Sequence, residues 1–344
     1  MDDFKRAIEV IVEITKDYRL ADGETPTEAS VEAWVEQFDS DVQVAILEEM
    51  AHVLNETYIS KQDTVNFLKD VLHSEKLAGN DPETFWSQTT FLDIQGAGAS
   101  QKEMNALFDK LMLAEFGFGV DGSAAGSDVF IYLDDGTFTG NRVRRDLENW
   151  IKHTAPKSFT LHIINIALHN GGRYFSEGKI EEQAKTVSKD MKLTWWSAVE
   201  LEDRKIYTNN SDVLRPVSLP DDDNVAAYVE KMKYPPHFRT VGGKSPKGIF
   251  SGEEGRNILE QEFLKAGVRI RDMCPHFGDT QRPLGHMTLD TLGFGSTLVT
   301  FRNCPNNAPL ALWAGDPWKP LFPRSTNSDT SFRNFINMLA KEVS

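Results

Sequence analysis

Residues 128–145 read Asp128-Val129-Phe130-Ile131-Tyr132-Leu133-Asp134-Asp135-Gly136-Thr137-Phe138-Thr139-Gly140-Asn141-Arg142-Val143-Arg144-Arg145, and this stretch decides the fold. Residues 129–133 are an apolar, β-branched and aromatic run, long enough for a buried strand. Asp134 and Asp135 end that run side by side. Residues 136–141 are small and mostly polar, which predicts a turn, and a helix is expected from about Arg142. In an open parallel sheet, ligands sit where strands end and helices begin. Free N–H groups at the helix N-terminus favour an anion there, typically phosphate. Two carboxylates beside such a nest suit ribose hydroxyls, a divalent cation, or both. The combination asks for a phosphorylated sugar.

The flanking segments repeat the pattern. Residues 91–95 read as a strand, Gly96-Ala97-Gly98-Ala99-Ser100-Gln101 as a small-residue turn, and 102–113 as a helix. Gln101 stands where a dinucleotide fingerprint has its third glycine, so the fingerprint is incomplete. The turn either packs a strand tightly on a helix or brings backbone close to a phosphate or pyrophosphate. In the second case Gln95, Gly96, Gly98 and Ser100 are site residues. After the central motif come a helix at 143–152 and an apolar run at 159–168 that ends in His169 and Asn170. A helix at 177–193 and a strand at 194–201 follow. Strand–helix units in series predict an α/β fold, a mostly parallel sheet with helices on both faces. Adjacent strands would bring His169 and Asn170 near the acidic motif.

Residues 1–78 read as an all-helical region ahead of the α/β domain. Thr25-Pro26-Thr27-Glu28 predicts a helix start with Thr25 at N-cap and Pro26 at N1. Val31, Trp34, Val35 and Phe38 then share one helical face, as do Val42, Ile46, Met50, Val53 and Leu54. Such stripes are core, or a surface for a partner protein or a second copy of the chain. The α/β domain is expected over 79–325, with an insertion around 202–250 and a closing helix at 326–344. Within the insertion, Asp221, Asp222 and Asp223 suit a helix cap. Residues 251–254 read as a capping box for a helix that Gly267 stops, and 298–301 as a final strand.

The 344 residues carry a formal net charge of -15, which argues against duplex binding by the whole chain. With 40% hydrophobic residues a sizeable core is expected. Two cysteines, Cys274 and Cys304, form no disulfide framework and fit no zinc spacing. The charged N-terminus is not expected to act as a signal peptide, and no apolar run is long enough for a span. A reducing cytoplasm is the expected compartment.

The central stretch resembles the ribose-phosphate-binding signature of type I phosphoribosyltransferases, an apolar strand, two acidic residues, a short loop and Thr-Gly. The resemblance implies that Asp134 and Asp135 are the catalytic pair, holding the ribose hydroxyls of phosphoribosyl pyrophosphate. It implies that Thr137, Thr139, Gly140 and Asn141 form the 5′-phosphate nest, with Arg142 in reach, and that Mg2+ comes with the pyrophosphate, touching the aspartates indirectly. The chain departs from the signature at Gly136 and Thr137, where aliphatic residues are common. It departs again at Phe138, where some purine-salvage members carry an aspartate general base. A rival reading takes 133–137 as the Asp-x-Asp-Gly-Thr motif of haloacid-dehalogenase-like phosphatases. There the nucleophile would fall on Leu133, and a leucine forms no phosphoaspartate.

Further segments narrow the resemblance: 34–38 (Trp34 to Phe38), 95–101, Gly252-Glu253-Glu254-Gly255-Arg256, and Asn303-Cys304-Pro305-Asn306-Asn307 followed by Pro309 and Trp313. Together they resemble the divergent phosphoribosyltransferase-like proteins of bacterial conflict systems, the PRTase-CE type of anti-phage cassettes and some retron operons. The resemblance implies an effector encoded beside partner proteins, in retrons a reverse transcriptase with its RNA–DNA product. Its ligand would be phosphoribosyl pyrophosphate or a nucleotide, transferred or hydrolysed. The alternative is a non-catalytic nucleotide-sensing or scaffolding subunit. Asn303, Asn306 and Asn307 are expected to complete the site.

Overall fold

The computed structural model describes residues 3–96, 99–122, 127–274 and 277–324. Gly98 and the helix expected at 326–344 lie outside the described residues. By compactness the chain forms two units, residues 62–204 and residues 1–61 together with 205–344.

The 62–204 unit is built on strand–helix repeats: β1 (Thr89–Phe91), α1 (Ser100–Phe116), β2 (Val129–Thr137), α2 (Asn141–His153), β3 (Ser158–His169), α3 (Asn170–Thr186) and β4 (Asp190–Leu201). The four strands lie in chain order and every pairing is parallel. This is the expected α/β sheet with helices packed against it. Parallel strands are buried on both faces, which explains why β2 and β3 read as near-continuous apolar runs. Tyr132, Leu161, Ile163 and Trp195 meet Val143, Leu147 and Ile151 of α2 and Ile180 of α3 in one core. Trp86, Phe91 and Phe108 make a separate aromatic cluster, with ring centroids 5.1–5.9 Å apart.

Several boundaries differ from expectation: the strand read at 91–95 is Thr89–Phe91, and the central strand runs past both aspartates to Thr137. The helix read at 177–193 begins at Asn170, directly after β3, and ends at Thr186; β4 starts early, at Asp190. Gly171 and Gly172 follow Asn170. Here they sit in the first helical turn, where close neighbours leave no room for a Cβ.

The other unit packs helices Glu28–Val35, Gln43–Thr57 and Glu253–Met273 around Trp34, Ile46, Met50, Leu259, Phe263, Trp313 and Phe322. Three indole N–H groups close the core against backbone. Trp34 and Trp318 both donate to the Ala311 carbonyl, at 2.8 and 2.9 Å, and Trp313 donates to Ala308 at 2.8 Å. Asp222 caps a helix as expected, accepting from the Val225 N–H.

Several local expectations change. The first capping box belongs to Thr27 with Ser30, not to Thr25, because Ser30 returns the hydrogen bond to the Thr27 amide. Ser251 caps no helix; its amide and hydroxyl donate to Glu49, and the helix starts at Glu253. Gly267 does not stop that helix. It lies mid-helix, where an added Cβ would come 2.5 Å from the Pro283 carbonyl oxygen. The strand read at 298–301 is only Val299–Thr300, and it pairs with Tyr58–Ile59 outside the four-stranded sheet.

A buried charge network anchors this unit. Glu260, fully buried, accepts from Arg256 Nε at 2.8 Å, Arg239 Nε at 3.0 Å and the Arg215 amide at 2.9 Å. Burying these ions is costly, and breaking one partner strands the rest. Glu260→Gln is expected to destabilise by about 3–5 kcal/mol, read as a lower urea midpoint.

Candidate functional site

Asp134 sits near the carboxyl end of β2, opposite Asn165 of β3, and is only 5% exposed. Its Oδ1 accepts from the Asp135 amide at 2.9 Å and its Oδ2 from Gln95 Nε2 at 3.2 Å. Gln95 Nε2 also donates to Ser100 Oγ at 3.2 Å. Burial, and then the charge of Asp135, push the Asp134 carboxyl up to about 7; Ser100, the Asp135 amide and Arg142 pull the other way. A carboxyl poised near neutrality at a strand end is a functional-site signature.

The loop after β1 is held from behind. Gln101 Oε1 accepts from the amides of Ile94 and Gln95, at 2.7 and 3.1 Å. The residue that spoils the glycine fingerprint thus acts as a clamp on the loop. Gln95 and Ser100 are brought to the acidic end of β2 through the Gln95–Asp134 bond, and the amide of Gly96, next in the loop, favours the charged form of Asp146 of α2. Asp146 also accepts from Tyr132 Oη at 3.1 Å.

The turn into α2 depends on two glycines. Gly140 is the N-cap, with φ 74°, and no side chain caps the helix. A Cβ on Gly140 would fall on the Gly172 carbonyl, and one on Gly172 on the Phe138 carbonyl. Gly140 needs glycine for its left-handed backbone, Gly172 only for the close approach. Among the described residues no side chain caps the first amides of α2. The neighbouring α3 contrasts with this: the Gly171 N–H donates to Asp203 Oδ1 at 2.6 Å, and Asn170 Nδ2 to Glu202 at 3.4 Å. The chain's own carboxylates occupy that helix start.

Around the turn, Thr137 is buried and its hydroxyl donates to Asn165 Oδ1 at 3.2 Å. Asn141 Nδ2 lies 3.5 Å from Thr139 Oγ1. The Phe138 ring lies tilted against His169, centroids 4.9 Å apart, and His169 Nδ1 is 3.3 Å from the Thr137 carbonyl. Burial holds the His169 ring at about 3, so it is neutral at physiological pH. Arg142 reaches Asp134 and Asp146 by charge. Asn303, Asn306 and Asn307 belong to the other unit, where Asn307 Nδ2 donates to the His286 carbonyl and the Asn306 carbonyl accepts from the His286 amide. Gln101, Asn165, Asp146 and Gly172 escaped the sequence reading. Only the Gln101 departure from the fingerprint was visible there.

Two measurements test this geometry. Gly172→Ala must displace the Phe138 carbonyl, and is expected to cost about 1–3 kcal/mol, read as a lower melting temperature. Asp134 has a folded pKa of about 7 against an ordinary 3.8, so the folded state holds the proton longer than the unfolded one. Stability then falls as pH rises from about 4 to about 7, and the cost is complete above that. Asp134→Asn is expected to raise the melting temperature at pH 8 and to gain little at pH 4; an equal shift at both would contradict the assignment.

Among the described residues, no helix is long and apolar enough to cross a membrane. Searches of curated proteins and of solved structures returned no match. The family model PRTase-CE matches residues 31–324, most of the chain. The chain belongs to the PRTase-CE family, the phosphoribosyltransferase-like branch to which its β2 motif pointed.

Proposed function

We propose that the carboxyl end of β2, with the turn into α2 and the loop after β1, binds a ribose phosphate, either phosphoribosyl pyrophosphate or a nucleotide. One observation carries the reading. The uncapped start of α2 stands beside the buried Asp134, while the start of α3 is already taken by Asp203. The amides opening α2 and the Thr139 hydroxyl would receive the 5′-phosphate. Asp134 and Asp135 would accept from the ribose hydroxyls, and Arg142 would balance the anion.

Among the described residues, no three His, Cys, Asp or Glu side chains gather as a protein-only metal site. Two carboxylates with diphosphate oxygens fit Mg2+, which keeps few protein ligands and binds through phosphates. Mg2+ bound this way would neutralise charge on the pyrophosphate. The chain's own residues orient the sugar and hold the two phosphate groups apart.

The reaction class we favour is transfer or hydrolysis of the ribosyl group, in an effector of a bacterial anti-phage system that acts beside partner proteins. A second reading, a nucleotide-sensing subunit without turnover, is favoured by Phe138. Its ring packs on the neutral His169, and the turn from Gly136 to Gly140 carries no proton acceptor side chain for an incoming base.

Calorimetry of the full chain with phosphoribosyl pyrophosphate and Mg2+ tests the site. Binding is expected, and the Asp134→Asn, Asp135→Asn double variant is expected to weaken it at least about tenfold, the loss of one charge-assisted hydrogen bond or more. No binding, or unchanged binding by the variant, would sink the proposal. Nucleotide pools in expressing cells separate the two readings: an enzyme depletes a pool, a sensor leaves it intact.

A further inference from the structure

β4 is an outer strand of the four-stranded sheet, with 12 residues against 3 in β1 at the opposite edge. Among the described residues no strand pairs along its outer side. An edge of this length is a template for another strand, and folds normally blunt it with a proline, a bulge or a short run. β4 has none of these. Residues 190–201 contain neither proline nor glycine, and the pairing with β3 keeps one register from Ser158 opposite Asp190 to His169 opposite Leu201. A lysine on an edge also keeps strands apart, but Lys192 has a counterpart of opposite sign on the same strand, Glu200.

The strand is complementary to itself. Lys192 lies four residues before Trp196, and Glu200 four residues after it. Both are exposed, and they share one face of the sheet with the exposed Thr194 and Ala198. Two copies running antiparallel about a twofold axis at Trp196 set Lys192 against Glu200 twice. The same register sets Leu193 against Val199 and Met191 against Leu201 on the other face. Met191 and Leu193 are only partly covered by the core of their own unit, and Val199 is half-buried. Neighbouring registers match less well. A centre on Trp195 puts Asp190 against Glu200, a like-charged pair. A centre on Ser197 puts Lys192 against Glu202, which lies beyond the strand and is already held by Arg204 at 2.6 Å.

We propose that the outer edge of β4 is the interface of a homodimer, in which two β4 strands pair antiparallel about Trp196 and join two four-stranded sheets into one. The occupant of the edge is a second copy of this chain, because the charge pattern answers itself end for end. Main-chain hydrogen bonds supply the affinity, and the Lys192–Glu200 pairs fix the register. Trp196, half-buried and donating its indole N–H to His162 Nδ1 at 3.2 Å, meets its own copy across the axis. The dimer needs no ligand and stands apart from the ribose-phosphate reading of the other strand ends.

Sedimentation of the full chain over a concentration series tests this, with Lys192→Glu, Glu200→Lys and the double variant carrying both. Wild type is expected to dimerise. Each single variant opposes like charges at both places and is expected to weaken the dimer at least about fivefold. The double variant restores the pairs in reverse and is expected to return to the wild-type constant within about twofold. An equimolar mixture of the two single variants is the sharpest arm. The acidic edge of one meets the basic edge of the other, so a mixed dimer is expected where neither variant dimerises well alone, a result that misfolding does not produce. Glu200 also lies 3.6 Å from Arg173 of α3, so Glu200→Lys is the variant that threatens the fold. Lys192→Glu changes only an exposed side chain and carries the test without it, read by amide exchange. Exchange across 191–200 is expected to slow with concentration in wild type and to stay fast in Lys192→Glu. A wild type that stays monomeric at every concentration, leaving the edge to a strand of another protein, overturns the proposal. So does a dimer indifferent to these charges, or one whose protection falls outside β4.

Discussion

The site turns on a carboxylate buried where burial is unfavourable. Asp134 lies near the carboxyl end of a strand inside the sheet, shielded from water, with the charge of Asp135 next to it. Its compensation is a side-chain amide from Gln95 and the backbone amide of its neighbour. Such a group weakens the fold, and natural proteins keep such groups where activity requires them. The surrounding structure is arranged to hold it. Gln101 clamps the loop that carries Gln95, and Gly140 and Gly172 let the next turn close in.

The two units solve different problems with different means. The 62–204 unit uses a parallel sheet whose strand ends converge on one group of side chains, as open α/β sheets do. The other unit uses helices, three tryptophan–carbonyl bonds and a buried arginine–glutamate network. The family match extends across residues of both, so the features that define the family include packing motifs as well as ligand chemistry. The Trp34 to Phe38 and Ala308 to Trp313 segments are core, and Arg256 is part of the charge network.

The sequence made the acidic strand end and the turn into α2 readable, because the change from an apolar run to small polar residues and then to a helical period is local. The same holds for the order of strands and helices in the sheet. What escaped it is set by register and approach between segments. Asn165 joins the site only because β3 pairs with β2 so that it lies opposite Asp134. Gly172 is unfavourable in a helix by propensity alone, and its role shows only where the Phe138 carbonyl lies against it. Ser251 fits a capping box by spacing, yet Glu49 from a distant helix takes its hydroxyl. The three asparagines are expected at the site from a segment of the family resemblance, which does not say which unit they join.

A crystal structure with ribose 5-phosphate bound tests the central claim most directly. The account predicts the phosphate on the amides of residues 139–142 and the sugar hydroxyls on Asp134 and Asp135. Phosphate at the start of α3, or anywhere in the unit formed by 1–61 and 205–344, would contradict it.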